Sequence, residues 1–303
     1  MALLTNTVVG LLGLMPKPLM RRFAARYIAG ETIEEALVRL KVLNAEGFSG
    51  VLDILGEDAD GEAGARAALG EYVGALETLH ASGLEAYVSA KPTHFGLRTS
   101  EDLAFELYSA LATACAEHGR FLRVEMEDYT TTDATLRIFE RLVERHDNVG
   151  IVLQSRLFRN DEDIARLLAS LPEGRVLDVR MVKGIYLEPA EIAHTEYGPI
   201  AEAYVRHCRL LFEGGARVCL ATHDDVMAER LFALVTELEV PRERYELQVL
   251  MGVRRWLWKQ WLDAGHPVRV YVPYGPEWRP YSLRRLKKNP KLLSNFVKGF
   301  FGG

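Results

Sequence analysis

The sequence predicts a (β/α)8 barrel. Three observations support that fold class. Eight short apolar runs recur along the 303 residues, and amphipathic stretches lie between them. The repeat fills roughly 250 residues, the usual span of this fold. The first run reads "GVLDILGEDADGEAG" and carries no glycine-rich phosphate turn, which an open doubly wound sheet would want there.

The elements follow in order. Residues 1–48 form an N-terminal helical segment packed on the barrel, and residues 49–303 form the barrel itself. "VVGLLGLM" is apolar but far shorter than the ~20 residues that cross a bilayer. It reads as a packed helix, or as a helix touching a membrane with Lys17, Arg21 and Arg22 as a basic flank. "TIEEALVRLKVLNAEG" is a helix with a threonine cap and a terminal glycine. The strands are read at Gly50–Leu55, Glu85–Lys91, Phe121–Glu127, Val149–Ser155, Leu177–Gly184, Ala216–His223, Tyr245–Gly252 and Pro267–Gly275. Runs such as "VGIVLQS" and "PVRVYVPY" carry the β-branched and aromatic residues of buried parallel strands. "EDLAFELYSALATACAEHG" and "AERLFALVTELEV" carry helical periodicity.

The bulk numbers exclude several classes. Hydrophobic residues make up 49% and charged residues 26%, enough for a filled core and against disorder. The net charge of -5 argues against nucleic-acid binding through bulk charge. Three cysteines, Cys115, Cys208 and Cys219, have no paired spacing and fit a reduced, cytoplasmic interior. No cluster of His or Cys stands at metal-ligand spacing, so no metal site is expected.

Barrel enzymes work at the C-terminal ends of their strands. Polar residues stand at nearly every one here. Lys91 ends strand two, Asp128 strand three, and Gln154 strand four. Arg180 and Lys183 belong to strand five, Thr222, His223 and Asp224 end strand six, Gln248 lies in strand seven, and Tyr271 and Tyr274 lie in strand eight. Taken alone, Lys91 is an exposed strand-end cation. Asp128 suits a helix cap as well as a catalytic role, since "DYTTTDATL" is rich in cap residues. The two buried amides suit a ligand with a donor–acceptor edge, such as a flavin ring, or ties to backbone. Arg180 and Met181 must face opposite sides of their strand. After strand eight, Tyr281, Arg284, Arg285 and Lys288 recur at i, i+3, i+4 and i+7, one face of a helix. That face is either a solvated basic surface or a carboxylate clamp.

The constellation resembles the monofunctional bacterial proline dehydrogenases. "ETIEEAL", "GVLDILGE", "VEMED", "IVLQS", "RMVKGIYLEP", "ATHD", "LQVLMGV" and "YVPYGPEWRPYSLRRL" carry the resemblance in order and spacing over most of the chain. It implies a distorted (β/α)8 barrel with FAD at the C-terminal ends of the strands. It also implies oxidation of L-proline to Δ1-pyrroline-5-carboxylate by hydride transfer to flavin N5, with a membrane quinone as electron acceptor. On that footing Arg284, Arg285 and Lys91 hold the substrate carboxylate, and Asp128 supports Lys91. Met181, Tyr186, Leu250, Tyr271 and Tyr281 close around the ring. Arg180 stands near N5, Gln154 and Gln248 bond the ring edge, and Val182, Lys183 and Gly184 run along the cofactor. Thr222, His223 and Asp224 meet its ribityl, phosphate and adenine side. Lys288 stands where the family carries a glutamate near the substrate amine, and Met251 where an aromatic is common.

Three alternatives stay open. One is the same chemistry on an N-substituted or less basic cyclic imino acid. Another is a Schiff-base lyase using Lys183. The third is a non-catalytic binding barrel. The expected location is the cytoplasm, with peripheral contact at the inner face of the membrane through the N-terminal segment.

Overall fold

The computed structural model describes residues 20–21 and 24–288, with residues 284–288 described by backbone alone. The apolar run of residues 8–15 and its neighbours Lys17 and Arg22 lie outside the described residues.

Eight parallel strands close into a barrel in chain order. They are β1 (Ser49–Ile54), β2 (Ala86–Ala90), β3 (Leu122–Val124), β4 (Val149–Gln154), β5 (Asp178–Val182), β6 (Arg217–Ala221), β7 (Tyr245–Leu250) and β8 (Val268–Tyr274). Closure runs through β8 and β1, in register from Ser49 against Arg269 to Ile54 against Tyr274. The (β/α)8 expectation is met, and each strand lies within the run read for it except β1, which starts one residue earlier at Ser49. β3 is the one strand cut well short of its run. Beyond it only the Glu125 amide still bonds Ala90, and the Glu127 carbonyl accepts the Gln154 side-chain amide at 2.7 Å. Side-chain bonding replaces the ladder there.

Period-two alternation sets two environments. Neighbouring residues across the ladder share a face, so Val152, Arg180 and Cys219 look into the barrel, and Leu153, Met181 and Leu220 look out. The outward residues are fully buried against the helices. Each such aliphatic side chain contributes about 1.5–3 kcal/mol when buried.

The helices are α1 (Ile33–Ala45), α2 (Gly61–Ser82), α3 (Glu101–Glu117), α4 (Tyr129–Val143), α5 (Asn160–Ser170), α6 (Tyr197–Glu213), α7 (Asp225–Glu237), α8 (Arg255–Asp263) and α9 (Trp278–Lys288). Their starts follow their sequence. Thr32 caps α1, Ser100 caps α3, Asp128 caps α4 and Asp224 caps α7, each through a side-chain oxygen on a first-turn amide. α2 ends at Gly83, whose φ of 66° is the left-handed geometry glycine tolerates. Its apolar stripe, Ala65, Ala68, Tyr72, Ala75, Leu76 and Leu79, is buried.

The segment before α1 is tied to the end of the barrel. The Ala29 amide donates to Pro273 at 2.8 Å, and the Gly275 amide donates to Gly30 at 3.0 Å. A second apolar cluster joins Met20, Ala24 and Ile28 to Leu55 and Trp278, with Tyr27, Tyr281 and Leu283 at its edge. Gly252 has φ 78°, and a Cβ there would meet the Arg26 carbonyl oxygen at 2.0 Å. Only glycine lets these two backbones approach so closely. No helix among the described residues is long and apolar enough to cross a membrane.

Candidate active site

Inward positions carry polar groups from the bottom of the barrel to its C-terminal mouth. Lys91 follows β2 and is 8% exposed. Its Nζ lies 3.0 Å from both carboxylate oxygens of Asp53 on β1. Burial pushes Asp53 up to about 6, against the pull of Lys91. Burial also opposes the charge on Lys91, but Asp53 and Glu125 outweigh it and raise its pKa. At neutral pH the pair is ionised on both sides.

Arg180 on β5 is 4% exposed. Its Nε donates to the Gln248 Oε1 at 2.5 Å, its Nη1 bonds Glu125, and its Nη2 points at the Tyr87 hydroxyl at 3.4 Å. The guanidinium also lies 5.3 Å from the centre of the Tyr271 ring. Glu125 accepts from Ser89 as well, and Tyr271 reaches it at 3.4 Å. Burial opposes the charge on Glu125, but Arg180, Ser89 and Lys91 hold its pKa below the usual range. Five inward groups, Asp53, Lys91, Glu125, Arg180 and Tyr271, thus form one connected set.

Gln154 and Gln248 are both buried, as the sequence suggests, but they are not equivalent. Gln248 gives both amide hydrogens to protein, one to Tyr87 at 2.6 Å and one to Glu246 at 2.6 Å. Toward a ligand it can only accept. Gln154 Nε2 donates to the Glu127 carbonyl, which leaves it a second hydrogen and leaves its Oε1 beside Gly184. Burial pushes Glu127 up to about 7, although the amide and hydroxyl of Thr93 donate to it at 2.9 and 2.8 Å.

A second group gathers where β5 and β6 end. Lys183 Nζ bonds Asp224 at 2.8 Å and sits 4.6 Å from the Tyr197 ring centre. Burial opposes the charge on Asp224, but bonds from Lys183 and Tyr197 bring its pKa down to about 2. The Thr222 hydroxyl accepts from the Asp224 amide at 3.1 Å, and His223 is exposed. Val182 is half-buried on the inward face. Gly184 has φ 92°, and a Cβ there would meet Gln154 Oε1 at 2.8 Å.

The pocket wall is assembled in part. Leu250 pairs with Tyr271 across the β7–β8 ladder, on the same face as Gln248. Tyr186 is half-buried, its carbonyl bonded by Arg156; burial and then Glu127 raise its phenol pKa. Tyr281 packs at the edge of the second apolar cluster. The side chains of Arg284, Arg285 and Lys288 lie outside the described residues; their backbone continues α9 beyond Tyr281.

Two expectations are corrected. Met181 does not face the pocket. Its neighbour Arg180 points inward, so alternation turns Met181 into the packing beneath α6, whose Tyr204 bonds its carbonyl at 2.6 Å. Asp128 does not support Lys91. It caps α4 through the Thr130 amide at 2.9 Å and meets Arg98 at 3.3 Å. Asp53 holds Lys91 instead. Sequence reasoning missed Asp53, Glu125, Tyr87 and Ser89; alternation from Lys91 reaches Ser89 and Tyr87 on the same strand, whereas Asp53 and Glu125 lie on other strands.

The donor set fits a flavin. It offers a buried cation with unused N–H groups, one amide able to donate and accept, a glycine that brings backbone close, and a lysine beside a helix N-terminus. No group of three or more metal-ligating side chains occurs among the described residues.

Comparison with known proteins places these features. A family model described as proline dehydrogenase matches residues 36–298. A proline dehydrogenase of Deinococcus radiodurans is 35% identical over 289 residues, covering 94% of this chain and 92% of its own. Proline dehydrogenase 1 of Bacillus subtilis strain 168 is 32% identical over 276 residues, covering 91% and 90%. In fold, the chain matches the crystal structure of proline utilization A from Bdellovibrio bacteriovorus with a TM-score of 0.81 at 24% identity. That match covers 87% of this chain and 32% of the larger protein.

Proposed function

The chain belongs to the proline dehydrogenase family, and on that premise we propose that it oxidises L-proline to Δ1-pyrroline-5-carboxylate with FAD as cofactor and a quinone as final acceptor. The observation that supports this reading is the connected set Asp53–Lys91 and Glu125–Arg180 at the C-terminal mouth of the barrel.

The oxidation breaks a C–H bond on the ring carbon next to nitrogen. From the free amine its electron pair leaves as hydride while the nitrogen lone pair forms the C=N bond, and the protonated imine then gives its N–H proton to solvent. When bound, the flavin supplies the acceptor for that hydride. The protein supplies the placement. Lys91, kept charged by Asp53, contributes one cation for the substrate carboxylate, and Arg284 and Arg285 contribute the fork geometry that suits it. Tyr186, Leu250, Tyr271 and Tyr281 wall the ring and exclude water. Arg180 puts a fixed positive charge where negative charge develops. Gln154 donates to and accepts from the ring edge, and Gln248 accepts only. Lys183, Gly184 and Thr222 to Asp224 lie along the rest of the cofactor. Asp128 caps α4 and meets Arg98. A peripheral contact with the membrane through the N-terminal segment would bring the flavin to its quinone.

The test is optical. Purified protein should be yellow, and L-proline should bleach it without oxygen while o-aminobenzaldehyde traps the pyrroline product. Protein that takes up no FAD, or flavin that proline leaves oxidised, would overturn the proposal.

A further inference from the structure

We propose that Tyr87 is a positioning residue for Arg180, joining the mouth of the barrel to a buried ionic lattice beneath it. This rests on the flavin-dependent reading above and deepens it.

The lower half of the barrel is filled with charge. Arg123, fully buried, donates to Asp178 at 2.5 Å. Arg217 donates to Asp178 at 2.9 Å and to Glu246 at 2.8 Å. Arg269 donates to Glu246 at 2.9 Å. The Cys219 thiol sits among them, 3.3 Å from both Arg123 and Arg217. Each charge is shared between partners, so no member can turn without stranding another.

Tyr87 lies at the top of this lattice. It is 5% exposed. Its ring centre stands 5.8 Å from the Arg123 guanidinium and 4.6 Å from that of Arg269. The cations below therefore fix the ring by contact with its face. The hydroxyl points up instead. It accepts from Gln248 Nε2 at 2.6 Å and from Arg180 Nη2 at 3.4 Å. Gln248 in turn accepts from Arg180 Nε at 2.5 Å. Tyr87, Gln248 and Arg180 thus close a triangle with one corner anchored in the lattice. Glu125 restrains Arg180 from the other side but reaches only Nη1. Without the Tyr87 hydroxyl, a buried Gln248 hydrogen loses its acceptor. The amide then has reason to turn, and Arg180 Nε loses its partner with it.

Tyr87→Phe isolates that oxygen. The ring, its volume and its contacts with Arg123 and Arg269 persist. The variant should fold and carry as much FAD as the parent. Its kcat should fall about tenfold, the value of one hydrogen bond in a barrier, with KM for proline within about twofold. A second readout needs no turnover. Sulfite adds to flavin N5, and a cation nearby stabilises the negative adduct, so the Kd for sulfite should rise several-fold. Cys219→Ala is the control. It loosens the lattice without touching the triangle, and should lower Tm while leaving the sulfite Kd and kcat in place. If Tyr87→Phe does not accumulate as folded protein, Gln248→Asn draws the amide away from both partners and takes the same measurements. A folded variant with parental kcat and sulfite Kd overturns the inference alone. Parent protein that takes up no flavin, or is not reduced by proline, overturns both it and the functional reading.

Discussion

On the outer side of the barrel wall, Leu153, Met181 and Leu220 stand side by side across three strands; on the inner side, so do Val152, Arg180 and Cys219. The same backbone supports both rows, and both are buried. What differs is how each row is held. The outer row is held by shape and area, which many residues of similar size can supply. In the inner row Arg180 and Cys219 are held by partners in fixed directions, which few residues can supply. Tolerance lies outside the wall and orientation inside it, and a site that must aim a hydride needs the second.

Substitutions can break that contrast, and the largest effect should come from below the site. Asp178→Ala strands Arg123 without a carboxylate and takes from Arg217 one of its two, and should cost about 3–5 kcal/mol in a denaturant titration. An effect under about 1 kcal/mol would mean water or relaxation already satisfies the lattice.

Next in size is the Asp53–Lys91 pair. Asp53→Asn leaves Lys91 buried without this counter-ion, and should raise the barrier that kcat/KM for proline reports by about 2–5 kcal/mol with flavin content unchanged. A pH profile sharpens this. Asp53 sits at about 6 in the fold against an ordinary 3.8. As pH drops through 6 it takes a proton and releases Lys91, so kcat/KM should decline on an acidic limb near that value. The limb should be missing in Asp53→Asn. For stability the sign is opposite: the folded chain binds this proton more tightly. That contribution is fully present below 3.8 and is lost as pH rises through 6.

The outer row should respond least. Met181→Leu keeps volume and apolarity, and should cost less than about 1.5 kcal/mol with KM for proline unmoved. A KM that rises would return Met181 to the pocket. Smallest of all, Asp128→Ala should remove a helix cap worth about 1 kcal/mol of stability, read in a denaturant titration, and leave turnover intact.

The strands were legible because turn residues bound each apolar run, and because β-branched residues crowd within them. Reading the site by the last polar residue of each run worked where that residue faces inward, as Lys91 and Gln154 do. It failed on "VEMEDYTTT". Counting by twos from Arg123 selects Glu125 and Glu127 and passes over Asp128, which belongs to the helix that follows. Asp53 and Tyr87 were hidden differently. Each stands inside an apolar run, where a single polar residue reads as an interruption. Only the partners across the barrel, far away in sequence, give it a purpose. The clamp arginines predicted at Arg284 and Arg285, and Lys288 beyond them, lie outside the described side chains, so their geometry rests on sequence alone.

The helix that leads to that clamp leans on the opposite end of the chain. Trp278 donates to Glu31 at 2.9 Å and packs with Met20, Ala24 and Ile28, while Gly252 admits the backbone of Arg26. For anyone truncating or tagging the protein, this makes the N-terminal stretch part of the instrument rather than a handle. Trimming to α1 would keep every strand yet unseat the helix that meets the substrate. Such a protein could refold, bind its cofactor and still be deaf to proline. An internal loop on the far side of the barrel, such as the one after α2, is the safer place for a tag or a probe.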